Sequence, residues 1–163
     1  MKYYDGTKLL SMKDLNGSKP EIYITTANRS AGKTTYYNHM AINGFLKKKY
    51  RKILWLYRFD YEIKSGVSDK IFKDLHNLFF HNRNMIDKAI CGGIIRELYL
   101  TCNSLEPVPC GYAIAINKAD QIKKYSHLLS DVDLIIFDEF QSENNQYANN
   151  EVEKFISIHT SIA

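Results

Sequence analysis

Short, nearly continuous apolar runs alternate along this chain with longer stretches whose apolar residues recur every three or four positions. That alternation predicts strands covered on both faces, separated by amphipathic helices: an α/β fold with a mainly parallel sheet. The expected strands are Glu21-Ile22-Tyr23-Ile24-Thr25, the run from Lys52 to Phe59, residues 94–101, residues 111–116 and residues 133–137. A first helix from Thr34 to about Lys49 carries Tyr37, Met40, Ala41, Phe45 and Leu46. It is interrupted by Gly44 and ends in Lys47, Lys48 and Lys49, which suit a helix C-terminus. Ser68 opens a second helix, with Asp69 in its first turn and Ile71, Phe72, Leu75, Leu78 and Phe79 on one face. A short helix is expected from about Ala119 to Leu129, and a last one from Glu151 to about Ile162.

Between these elements the pattern is less regular. Residues 1–20 form a polar lead that closes in the turn cluster Asn16-Gly17-Ser18-Lys19-Pro20, and residues 21–163 form the core proper. Residues 81–88 give no clear period. Gly92-Gly93 introduces residues 94–101, Pro107-Val108-Pro109 marks a turn, and residues 111–116 resume, which reads as a hairpin or two neighbouring strands. Only 24 residues follow Glu139, and none of them reads as a strand. The expectation is therefore the front part of a longer protein, truncated within its own sheet.

Composition narrows the class. The chain has 163 residues, of which 45% are apolar and 13% aromatic, enough for one domain with a sizeable core. The 22 basic and 18 acidic residues leave a net charge of +4, which permits a polyanionic partner without requiring one. Cys91, Cys102 and Cys110 lack the paired spacing of a zinc site. The start has no signal-peptide core, and no run has the length of a membrane span, so a reduced, cytosolic protein is expected. His39, His76, His81, His127 and His159 are scattered without a ligand pattern.

The candidate chemistry sits at two strand ends. Ala27-Asn28-Arg29-Ser30-Ala31-Gly32-Lys33-Thr34-Thr35 follows the first apolar run and opens a helix, the setting in which converging backbone N–H groups hold phosphates. Gly32 lets the backbone approach, Lys33 reaches the β and γ phosphates, and the Thr34 hydroxyl takes a magnesium ion with Thr35 beside it. The loop departs from the usual pattern at Ala27, where glycine is the rule. About a hundred residues later, Leu134-Ile135-Ile136-Phe137-Asp138-Glu139 ends a buried strand in two carboxylates. Asp138 is expected to hold magnesium through water, and Glu139 to orient or deprotonate the attacking water. Together the two segments imply nucleoside-triphosphate hydrolysis with Mg2+.

Four basic features are candidates for further roles. Arg29 inside the loop either neutralises transition-state charge, an effect worth about 4–7 kcal/mol when well placed, or points to solvent. Arg58, at the end of an apolar strand, needs a carboxylate partner, and Glu139 is the candidate, which would make the pair a switch. Lys47-Lys48-Lys49-Tyr50-Arg51-Lys52 either contacts nucleic-acid phosphates or is a solvated helix end, and the group Lys118, Lys123 and Lys124 either faces a neighbouring subunit's nucleotide or is solvated surface.

Ala-Asn-Arg-Ser-Ala-Gly-Lys-Thr-Thr, Lys-Ile-Leu-Trp-Leu-Tyr-Arg, Gly-Tyr-Ala-Ile-Ala-Ile-Asn and the segment ending in Ile-Ile-Phe-Asp-Glu-Phe together resemble the DNA-packaging ATPases of small short-tailed bacteriophages, relatives of the large terminase motors. The resemblance covers roughly residues 21–143. It implies a P-loop NTPase fold of the RecA-like type and a ring-forming motor, commonly a homopentamer. Such a motor acts in the host cytoplasm, sits at the capsid portal, and threads double-stranded DNA into the prohead. It assigns catalytic roles to Lys33, Arg29 and Glu139, and to Arg58 a role in coupling the catalytic glutamate to DNA. It also implies a C-terminal nucleic-acid-binding domain that these residues lack, and a trans-acting arginine, although no arginine follows Arg96. The alternatives are a P-loop helicase or replication ATPase, which shares both motifs, and a small-molecule P-loop kinase.

Overall fold

The computed structural model describes residues 13–26, 32–64, 66–142 and 144–162. At its centre is β1 (Lys52–Tyr57), whose four middle residues are buried. A strand apolar at successive positions needs cover on both faces, and β1 has it. Ile53 and Trp55 join one cluster with Ala41 and Ile42 of α1 (Lys33–Leu46) and Val67, Ile71 and Leu75 of α2 (Val67–Leu78). Leu54 and Leu56 join the opposite cluster with Ile122 of α3 (Ala119–Ile122), Leu129, and Ile158 of α4 (Glu151–Thr160). The result is three layers, helix on sheet on helix.

The sheet contains β2 (Arg83–Ile90), β3 (Ile95–Cys102), β4 (Val108–Ala115), β1 and β5 (Val132–Phe137), in the spatial order β2-β3-β4-β1-β5. β1 runs parallel to both β4 and β5, whereas β2-β3 and β3-β4 are antiparallel. The expected mainly parallel sheet is thus a mixed one. The connection Cys91–Gly93 is too short for a crossover, so β2 and β3 must form a hairpin. Residues 81–88 resisted reading because only Met85 of β2 is fully buried, leaving almost no periodicity.

β4 starts at Val108, inside the segment expected to turn. Pro109 is tolerated there because the pairing with β3 slips between Leu98 and Tyr99, which spares the amide that proline lacks. Gly44 lies within α1 without interrupting it and makes room for the Tyr50 ring: a Cβ at that position would lie 2.4 Å from Tyr50 Cε2.

Residues 21–25 form no strand. Their alternation encodes an extended backbone, but a ladder needs a neighbour about 4.8 Å away. Instead, residues 19–25 and β5 both line a cleft of about 1440 Å3. The Thr25 and Tyr37 hydroxyls are 2.5 Å apart, and His159 Nε2 is 3.4 Å from Glu21, which ties residues 19–25 to α1 and α4. Cys91, Cys102 and Cys110 are free thiols. Among the described residues no helix is long and apolar enough to cross a membrane.

Candidate active site at the edge of the sheet

α1 opens at Gly32, whose φ of 78° lies in the left-handed region that glycine adopts without steric cost. Lys33 is the first helical residue, and Tyr36 N–H donates to Gly32 O at 2.9 Å. No side-chain cap occupies this helix start among the described residues, and its first turn carries no acid. The first-turn amides, at Lys33, Thr34 and Thr35, have no intrahelical partner, and the helix dipole favours an anion beside them. Ala27, Asn28, Arg29, Ser30 and Ala31 lie outside the described residues, so the catalytic expectation for Arg29 has no geometry attached.

The carboxylates stand where β5 ends. Leu134 and Ile136 face the α1 and α2 cluster, and the two-residue period carries Asp138 to the same face. There Thr34 Oγ1 donates to Asp138 Oδ2 at 2.5 Å, across a sequence separation of 104 residues. Asp138 Oδ1 accepts from Glu139 N at 2.9 Å. A hydroxyl beside a carboxylate is a hard-oxygen donor set suited to magnesium, which also keeps several of its own waters. Glu139 follows with φ of 54°. That left-handed backbone costs a residue with a Cβ about 1–2 kcal/mol, and it turns the exposed Glu139 side chain out of the strand's alternation.

Arg58 departs from expectation. Its carboxylate partner is Glu151, in the first turn of α4, reached by Nε at 2.8 Å and Nη2 at 3.1 Å, with both side chains only 10% exposed. Towards Glu139 it offers only a main-chain contact: Nη2 donates to the carbonyl oxygens of Glu139 at 3.1 Å and Phe140 at 2.7 Å. The guanidinium also lies 5.8 Å from the Phe137 ring centre and 5.1 Å from that of Tyr147. A buried arginine takes the buried acid, because an exposed carboxylate like Glu139 remains better solvated by water. Arg58 therefore fixes the loop that carries Glu139, without pairing with its carboxylate. Glu151 was missed from sequence; its only signal is its place after Asn149-Asn150 at a helix start.

Tyr57 was also missed. Leu56 pairs with Phe137, so Tyr57 sits beside Asp138 one step on, and its ring packs on the α1 and α2 cluster. Burial, and then the nearby charges of Asp138 and Glu62, push its phenol well above the ordinary value, which keeps it protonated.

The basic groups are placed elsewhere. Arg51 chelates Asp133, with Nη2 to Oδ1 at 2.7 Å, and Lys52 meets Asp131 at 3.3 Å and Tyr112 OH at 2.5 Å, all at the opposite end of β1 from Arg58. Lys47, Lys48 and Lys49 are exposed where α1 ends. Lys118 lies 3.7 Å from Asp60, and Lys123 lies 4.0 Å from Asp120. His39 stacks on Phe79, and His76 Nδ1 is 2.7 Å from Arg83 O.

No protein-family model matches the chain, and no curated protein matches it. Two solved structures resemble it. One is the N-terminal domain of the DNA packaging ATPase from bacteriophage phi29, at 22% identity and a TM-score of 0.59; the match covers 83% of this chain and 62% of that one. The other is the Phi-28 gp11 DNA packaging motor, at 18% identity and a TM-score of 0.48, covering 83% of this chain and 41% of that one. The first likeness shows a shared fold, over somewhat less than two thirds of the phi29 domain.

Proposed function

We propose that this chain is the ATP-hydrolysing part of a motor that drives double-stranded DNA into a preformed capsid. One observation carries the reading: the Thr34 hydroxyl at the start of α1 meets Asp138 at the end of β5, at 2.5 Å. That juxtaposition joins a phosphate-binding helix start to a metal-holding carboxylate, the arrangement a P-loop triphosphatase needs. The fold shared with the phi29 packaging ATPase domain directs the choice among such enzymes towards DNA packaging. Helicase and kinase readings have no observation of their own in their favour.

On this reading Lys33 and the first-turn amides of α1 hold the phosphates, joined by Ala27, Asn28, Arg29, Ser30 and Ala31. Thr34 and Asp138 hold a magnesium ion, which when bound neutralises phosphate charge. Glu139, exposed at the strand end, orients and deprotonates the attacking water. Arg29 stabilises charge on the transferred phosphoryl group. Arg58 acts through the main chain of residues 139–140, and its pairing with Glu151 ties α4 to the catalytic loop. In a longer protein a further strand would pair with the open edge of β5, and a nucleic-acid-binding domain and ring partners, a pentamer at the portal, would complete the motor in the host cytoplasm.

The test is a pair of substitutions. Lys33→Ala should abolish thermal stabilisation by ATP with Mg2+, whereas Glu139→Gln should keep that stabilisation and lose turnover by about a hundredfold or more. Stabilisation that survives Lys33→Ala would remove the loop from the site, and turnover that survives Glu139→Gln would remove the proposed base.

A further inference from the structure

We propose that Tyr57 is a positioning residue of the metal corner: its phenol oxygen accepts a hydrogen bond from a magnesium-bound water beside Asp138. This rests on the triphosphatase reading above and adds to it a residue that motif spacing does not mark.

Three observations carry the inference. β1 and β5 run parallel with Leu56 opposite Phe137, which brings Tyr57 alongside Asp138 at the next step of the register. The two-residue period then sends both side chains towards α1, since Ile53 and Trp55 on β1, and Leu134 and Ile136 on β5, belong to the same cluster. Finally, the Tyr57 ring is anchored in that cluster, yet its hydroxyl makes no hydrogen bond among the described residues.

Tyr57 is part-buried and its oxygen is not among the buried side-chain polar atoms left without a partner, so the phenol reaches solvent and is open to a water as its partner. The acids nearest to it are already engaged. Asp138 takes Thr34 on Oδ2 and the Glu139 amide on Oδ1, and Glu62 Oε2 accepts from Phe59 N at 2.7 Å. Magnesium held by Thr34 and Asp138 keeps several waters, whose polarised O–H groups are strong donors in need of acceptors. The neutral phenol oxygen supplies one. It orients the hydration shell without becoming a ligand, as outer-shell partners do at other metal sites.

The experiment is a Mg2+ titration of the thermal stabilisation given by a non-hydrolysable ATP analogue, in the wild type, Tyr57→Phe and Lys33→Ala. Tyr57→Phe keeps the ring and removes only the hydroxyl. It should need about tenfold more Mg2+ for half-maximal stabilisation, while stabilisation by the analogue in EDTA stays at the wild-type level. Tyr57→Met, which keeps an apolar side chain there, is the second variant should the first fold poorly, and the same displacement is expected. An unchanged Mg2+ midpoint would overturn the proposal. So would an equal loss with and without Mg2+, which is what a packing role alone would produce. If the wild type gains no stability from the analogue under any condition, or Lys33→Ala gains as much as the wild type, the triphosphatase reading itself fails and this inference falls with it.

Discussion

β1 and β5 are neighbours of equal length and similar apolar composition, yet they live in different surroundings. Four of the six residues of β1 are buried, against one of six in β5. β1 is hydrogen-bonded on both edges, by β4 and β5, while β5 is an end strand of the sheet and lines the 1440 Å3 cleft. Ile22, Ile24, Phe140, Tyr147 and Val152, all lining that cleft, are among the large apolar side chains left exposed. The contrast teaches that close packing is concentrated on the β4 side of β1, while the β5 side is left open. On the proposed reading, Asp138 and Glu139 meet a solvated, charged ligand because their strand stands at that open margin of the sheet.

The closely packed side should break hardest. At Gly111 of β4 a Cβ would lie 1.9 Å from the carbonyl oxygen of Ile53 on β1, a backbone atom that cannot rotate away. Gly111→Ala should therefore cost about 3 kcal/mol and lower Tm by roughly 9 °C, read by urea and thermal unfolding. A change below about 1 kcal/mol would mean that β1 and β4 are not locked together, and the contrast with β5 would dissolve.

A smaller global effect, with a local signature, is expected at Arg58. Arg58→Ala leaves the Glu151 carboxylate, only 10% exposed, without its cation, although Glu151 Oε2 still accepts from Ala148 N at 2.8 Å. The loss should be about 2–3 kcal/mol, with faster amide exchange around residues 139–151 and little change on the β4 side. Adding Glu151→Ala should return part of that stability. Exchange that rises equally throughout the sheet would show that the Glu139 loop is not held by this pair in particular.

What the sequence disclosed follows the same division. β1 and β5 were legible because each is a continuous apolar run, although only β1 is covered along its length, and α2 because it shows one apolar face. Residue type alone pointed to Thr34 and Asp138 as partners across the chain, and the structure brings these two side chains together. Pairing was not legible. The alternation at residues 21–25 gives extended chain but cannot say whether a neighbouring strand lies within reach, and β2 has too few buried positions to declare itself. Arg58 announced a need for a carboxylate, but the choice of Glu151 over Glu139 depends on which acid the tertiary fold buries. Likewise, the bond from Trp55 Nε1 to Asn38 Oδ1 at 2.9 Å joins β1 to α1 through a register that no local pattern encodes.

The central claim is that Thr34 and Asp138 act together on one metal-bound triphosphate. Its most direct test is a double-mutant cycle of Thr34→Ala and Asp138→Asn, with the affinity for a non-hydrolysable ATP analogue measured by calorimetry in Mg2+ and in EDTA. In Mg2+ each substitution should weaken binding, and the double variant should be weakened by less than the sum, with a coupling of about 1 kcal/mol or more that vanishes in EDTA. Strictly additive losses, or binding indifferent to both substitutions in Mg2+, would contradict the account.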